Sequence, residues 1–283
     1  MKEKIDEILK DVNKLPVISA VVTKVLQMVQ NPDVNIQELA TEISKDPAIT
    51  TSVIKLSNSA YYRASKPVRT VSEALMTLGT KTVKEIILLT AAKGVLKKDL
   101  PGYQIEADQI WLQSLVVAEL ASRIAAHKKI QKPKDLVFTS GLLCNIGKLV
   151  LSQFFQSLLF KIKNEVQEAE DPFYEIERKY LGYTHMEISE IVLKNWNFPQ
   201  ELVDVVAHYN NPDQAKVDPI LVSLVHIAYT LTTVSGIGID IGGISVPLSK
   251  FALDKTGVTD KDIELYFMKL PELEAHIAEL INQ

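Results

Sequence analysis

From Ile110 to Ala126 the chain is apolar on nearly every face of a helix, and no other run constrains the fold as much. A helix without a polar face cannot lie on a surface, so it must be central and other helices must surround it. The rest of the sequence supplies them. Asn35 with Glu38, Thr70 with Glu73, and Thr184 with Glu187 have the spacing of reciprocal helix caps. Asp46-Pro47 and Asp171-Pro172 put a side-chain acceptor just before a proline suited to a first helical turn. Val21, Val25, Met28 and Val29 form one apolar stripe, and Val53, Ile54 and Leu56 belong to another. Strand alternation is scarce. The expected class is all-α.

Punctuation divides the chain. Asp99-Leu100-Pro101-Gly102 interrupts the helical pattern, which predicts an N-terminal helical lobe over residues 1–100 and a larger helical lobe over 103–283. Residues 235–247 are glycine-rich but lack the G-x-G-x-x-G spacing, so they read as a long surface loop and not a phosphate cradle. The run from Pro219 to Ile239 has no Asp, Glu, Lys or Arg and is long enough to span a bilayer. Its Ser223, His226, Tyr229 and several threonines suit burial in protein better than contact with lipid. The N-terminus is charged throughout and does not resemble a secretory signal. A single cysteine excludes an internal disulfide framework, and a cytoplasmic setting is expected. The net charge of −4 gives no global basic field for nucleic acid or anionic lipid.

Residues 140–151 read Ser-Gly-Leu-Leu-Cys-Asn-Ile-Gly-Lys-Leu-Val-Leu. Earlier come Leu15-Pro16, Glu42-Ile43-Ser44-Lys45-Asp46-Pro47, then Leu56-Ser57-Asn58-Ser59-Ala60-Tyr61-Tyr62, Val71-Ser72-Glu73-Ala74 and Leu78-Gly79. In this order, over residues 15 to about 210, these phrases closely resemble the HDOD family, a bacterial signalling module related to HD metal-dependent phosphohydrolases. The resemblance implies a small helix bundle followed by an HD-like helical bundle. It also says where metal ligands would stand. HD enzymes use imidazole and carboxylate groups, which bind divalent metals and leave a site for water. At the matching positions this chain has Gln113, Cys144, Asn145, His185, His208 and Tyr229. Only His185 and His208 keep ligand chemistry, and a phenol must lose a proton near pH 10 to bind metal. The resemblance therefore carries the fold and not the activity: no catalytic residue, metal or cofactor is expected.

The six positions should converge as a vestigial pocket, with a plugged polar network expected and a weak small-molecule pocket as the alternative. A nucleophilic Cys144 is the weaker reading, because it follows Gly141-Leu142-Leu143 in an apolar helix. A basic cluster between Tyr61 and Lys98 includes a helix-turn-helix-like stretch, Val71 to Leu89, which reads as a partner-facing surface rather than a DNA reader. Tyr61, Tyr62 and Arg63 are its anchor-like group, since Tyr and Arg are enriched at binding hot spots. The expected function is non-catalytic signal transduction through protein or small-ligand binding. An unidentified receiver, kinase or cyclic-nucleotide enzyme, or a small ligand, is the expected partner. Residual phosphohydrolase activity through His185 and His208 is one alternative, and nucleic-acid-binding regulation is another.

Overall fold

The computed structural model describes residues 20–29, 31, 33–59, 67–132, 134–153, 156, 159, 172–196, 198–242 and 246–282. The described residues are helical, without a strand; the one isolated bridge joins Leu100 to Ile105. The described residues divide into two compact units, residues 96–278 and residues 20–95 with the last turn of the C-terminal helix, 279–282.

The smaller unit contains α1 (Ala20–Met28), α2 (Ile36–Ile43), α3 (Pro47–Ser57) and α4 (Val71–Leu96), the last of these ending at its border. Asn35 caps α2 by accepting from the N–H groups of Gln37 and Glu38, as its spacing predicts. Leu39, Ile43, Val53, Leu75 and Ile86 bury together in the core. Asn58 clasps the chain across the ten residues to Val68: its amide donates to Val68 O at 2.7 Å, and its Oδ1 accepts from Val68 N at 2.8 Å. Gly79 (φ 80°, ψ 161°) breaks α4 into two segments, which is the turn legible between Val71 and Leu89. Tyr61, Tyr62 and Arg63 lie outside the described residues, as do Leu15-Pro16 and Asp171.

The larger unit is built on α5 (Ala107–His127), α6 (Lys134–Leu143), α7 (described over residues 146–153), α8 (Phe173–Leu181), α9 (His185–Asn195), α10 (Gln200–His208), α11 (Pro219–Val234), α12 (Lys250–Thr256) and α13 (Asp260–Asn282). Its centre is α5, buried from Ile110 to Ala125 at most positions and packed on α6 and α11. The apolar helix α11 is only 16 residues long and is buried from Leu221 to Thr233. Leu136–Gln153 is long and apolar enough to cross a membrane, yet 89% of it is buried inside protein, as a core element is.

The expected junction at Pro101-Gly102 is displaced. That turn lies inside the larger unit, where Gly102 N donates to Ser152 Oγ at 3.1 Å. Its proline and glycine mark a turn, and a turn packed onto its own unit is not a linker.

Candidate functional site

Three local devices place side chains in and beside one pocket in the larger unit. The first is the interruption between α6 and α7. Leu143 ends one helix, Cys144 and Asn145 form a turn, and Ile146 starts the next, so both turn residues point into the interior with no exposure. The second is the capping box of α9, in which Thr184 and Glu187 bond reciprocally and fix His185 at the first helical position. The third is the close approach of α7 to α9. A Cβ on Gly147 would stand 1.8 Å from His185 O, so only glycine permits it.

His185 is held at both ring nitrogens, by Glu177 at 2.6 Å and by the Tyr209 hydroxyl at 2.8 Å. Glu177 also accepts from the His185 backbone N–H at 2.9 Å and from the Tyr103 hydroxyl at 2.5 Å. Nδ1–H thus donates to the carboxylate, and Nε2 is left to accept from the Tyr209 hydroxyl. Beside this chain lies a second one. The Lys148 ammonium, 3% exposed at its side chain, donates to Asp240 Oδ2 at 2.7 Å and to the Tyr229 hydroxyl at 2.9 Å. It also stands 5.4 Å from the Tyr229 ring centre and 5.9 Å from that of Tyr103, a partial aromatic cage. Burial would push Lys148 down, but Asp240 and Tyr229 more than offset this and hold it above the ordinary lysine range. The Tyr209 and Tyr229 rings, 4.9 Å apart, join the two chains.

Gln113 and Asn145 form a third group. The Asn145 amide donates to Gln113 Oε1 at 2.9 Å, and the Gln113 amide donates to Ile237 O and Gly238 O at 3.2 and 2.8 Å. Asn145 Oδ1 is buried without a partner among the described residues. Burial pushes the Cys144 thiol up to about 12, with Lys148 lowering it only in part, so a thiolate nucleophile is strongly disfavoured.

The expected surface loop also forms a strap over this pocket. Besides the bonds from Gln113 and Lys148, Ile241 N donates to Tyr103 O at 3.0 Å. A Cβ on Gly238, at φ 64°, would meet Gln113 Cβ at 2.6 Å. Gly238 serves close packing on the site, which composition alone does not reveal.

Of the six expected positions, His185 and Tyr229 line the pocket, Gln113, Cys144 and Asn145 are buried beside it, and His208 does not join it. It is half-buried on the outer side of α10, with Nε2 3.6 Å from Asp204, and the adjacent Tyr209 turns inward to reach His185. One residue is a rotation of about 100° on a helix, enough to exchange the two faces. Five residues of these two chains are not among the expected site positions: Glu177, Tyr103, Tyr209, Lys148 and Asp240. Glu177 stands on another helix and has no ligand-like spacing. A signal did exist for Asp240, the only formally charged side chain between Asp218 and Lys250.

These residues do not fit the metal that HD chemistry would use. Among the described residues no three His, Cys, Asp or Glu side chains group to hold an ion. Both His185 nitrogens are engaged, and burial raises Tyr229 above an ordinary phenol, with Lys148 offsetting part of the rise. A dication at Tyr229 would also meet a buried ammonium at hydrogen-bond distance. The space left between Lys148, His185, Tyr229, Asn210 and Thr230 is about 20 Å³, room for about one water.

His226 adds a pH dependence. Its Nδ1 bonds Tyr209 O at 2.8 Å, and its Nε2 accepts from Ser249 N at 2.9 Å, so the neutral form is required. Burial holds it below the ordinary histidine value of 6.5. The unfolded chain therefore takes up the proton first. This contribution to stability is complete above about pH 6.5 and is lost as pH falls towards the folded value. Urea melts between about pH 5 and pH 7 should show this slope. His226→Gln should flatten it in part, leaving a same-sign contribution from His208, also lowered by burial. An unchanged slope in that variant would contradict the assignment.

The sequence profile of the HDOD domain matches residues 15–212. An uncharacterized protein of Treponema pallidum (strain Nichols) is 24% identical over 218 residues, 77% of this chain. The chain spans only 42% of that relative's length. Among solved structures, an HDOD domain protein of unknown function from Geobacter sulfurreducens superposes with a TM-score of 0.77 at 22% identity, covering 98% of this chain and 99% of its own. A candidate signal transduction protein from Marinobacter aquaeolei VT8 gives 0.75 at 22% identity, covering 99% of this chain and 61% of its own. At such identities the likeness establishes the fold.

Proposed function

Because this chain belongs to the HDOD family, we propose that it is a non-catalytic signal-transduction module that acts by binding a protein or a small ligand. The observation that carries this reading is the condition of the pocket. Where a hydrolase needs open, ionised ligands, His185 is engaged at both nitrogens, Tyr229 is a buried phenol, and Lys148 with Asp240 fills the centre. An interior so engaged can transmit a change of packing, but its side chains leave no metal-ligand position at which a water would be activated. The partner is a receiver, kinase or cyclic-nucleotide enzyme, or a small ligand, in a cytoplasmic setting.

The test combines metal content with turnover. Untagged protein should carry no stoichiometric Mn, Fe or Zn and should not hydrolyse phosphomonoesters or cyclic dinucleotides. Cys144→His with Asn145→Asp should remain inactive, since Gln113 and Tyr229 still stand at ligand positions. Metal-dependent turnover abolished by His185→Ala would replace this reading with a phosphohydrolase. Titration of receiver domains and cyclic nucleotides by calorimetry tests the binding half. Affinity for DNA that falls steeply with salt would favour a nucleic-acid regulator instead.

A further inference from the structure

The Lys148–Asp240 pair is asymmetric in its supports. Lys148 projects from α7, a core helix, whereas Asp240 is carried on the strap, whose Gly236 and Gly238 both have positive φ. The carboxylate side is therefore the more readily exchanged. A further observation points to an exchangeable ligand. Thr230 lines the same space, is 5% exposed, and its Oγ1 has no hydrogen-bond partner among the described residues. Buried polar atoms are normally paired, so the pocket holds more hydrogen-bonding capacity than Asp240 uses.

We infer that the Lys148 pocket is a carboxylate-binding site kept shut by the chain's own Asp240. A small carboxylate enters by taking the place of Asp240 on Lys148, and the Thr230 hydroxyl donates a contact that Asp240 lacks. Its entry frees the strap over residues 236–242. The tethered Asp240 competes at a high effective concentration, so simple monoacids bind the intact protein weakly. The signalling role of this exchange rests on the non-catalytic reading above; the binding itself does not.

Removing the tethered competitor tests the site. Asp240→Ala should melt below the parent, and sodium formate should raise its melting temperature saturably, relative to sodium chloride at equal ionic strength. Formate affinity, by calorimetry, should exceed that of the parent by at least about tenfold, the factor expected when an intramolecular competitor is removed. Adding Lys148→Met should abolish the formate effect. If Asp240→Ala yields no folded protein, Asp240→Asn keeps the volume, removes the charge and is read in the same way. Equal responses to formate and chloride, or a formate effect that survives Lys148→Met, overturn the proposal. Neither result bears on turnover or partner binding, so the broader functional reading fails or survives separately.

Discussion

Gly147→Ala is expected to leave little or no cooperatively folded protein. The added Cβ would stand 1.8 Å from His185 O and 2.6 Å from Ser189 Oγ, and the first of these is backbone in a capped helix turn. The same contact carries the bonds from Gly147 N to Ser189 Oγ and from Ser189 Oγ to His185 O, both 2.9 Å. Relief requires α7 and α9 to separate, which opens the core and detaches His185 from Glu177 and Tyr209. Such a loss lies in the tail above about 4 kcal/mol, comparable with the whole stability of many domains. The helix-propensity gain of alanine, at most about 1 kcal/mol, cannot offset it. Gly94→Ala is the control: nothing lies within 4 Å of a Cβ there, inside helix α4, so it should be neutral or stabilising by up to about 1 kcal/mol. Far-UV circular dichroism and urea melts of both variants check this. A Gly147→Ala protein melting within a few degrees of the parent would refute the close approach.

Lys148→Met should cost about 3–5 kcal/mol, because it leaves the 7%-exposed Asp240 side chain buried without its cation. Adding Asp240→Leu should restore much of that loss, since a buried pair and an apolar replacement of similar volume are often close in energy. Urea denaturation of the two single variants and the double variant gives the coupling directly. A loss below about 1 kcal/mol for Lys148→Met would mean that water reaches the pair and that the strap does not seal the pocket. By contrast, breaking Lys194–Glu190, with side chains 52% and 33% exposed, should change stability by at most about 0.5 kcal/mol.

The sequence makes the helices legible because caps and apolar periodicity are local. Thr184 and Glu187 mark the start of α9 three residues apart, and Ile110 to Ala126 marks the centre by its lack of a polar face. His185 is legible for the same reason, through a local phrase. Its partners are not. Glu177, Tyr209 and Tyr103 lie 8, 24 and 82 residues from it along the chain, the first two bonded to it directly and the last through Glu177. No short-range pattern encodes such pairings, which only packing creates. His208 shows the finer limit: local sequence locates the helix but not its rotation, and Tyr209 takes the inward place. The glycine-rich loop is legible as a surface loop but not as a strap, because glycine announces a turn without saying what the turn covers.

The division of the chain between Val95 and Leu96 has an optical consequence. Both tryptophans, the buried Trp111 and the partly exposed Trp196, belong to the larger unit, and the chain has no others. Indole emission is therefore blind to α1, α2, α3 and nearly all of α4, whereas circular dichroism weighs every helix. Followed together through one urea titration, the two signals act as separate gauges. Superimposed curves would mean that the units melt as one, and a dichroic transition preceding the emission change would show the small unit letting go first.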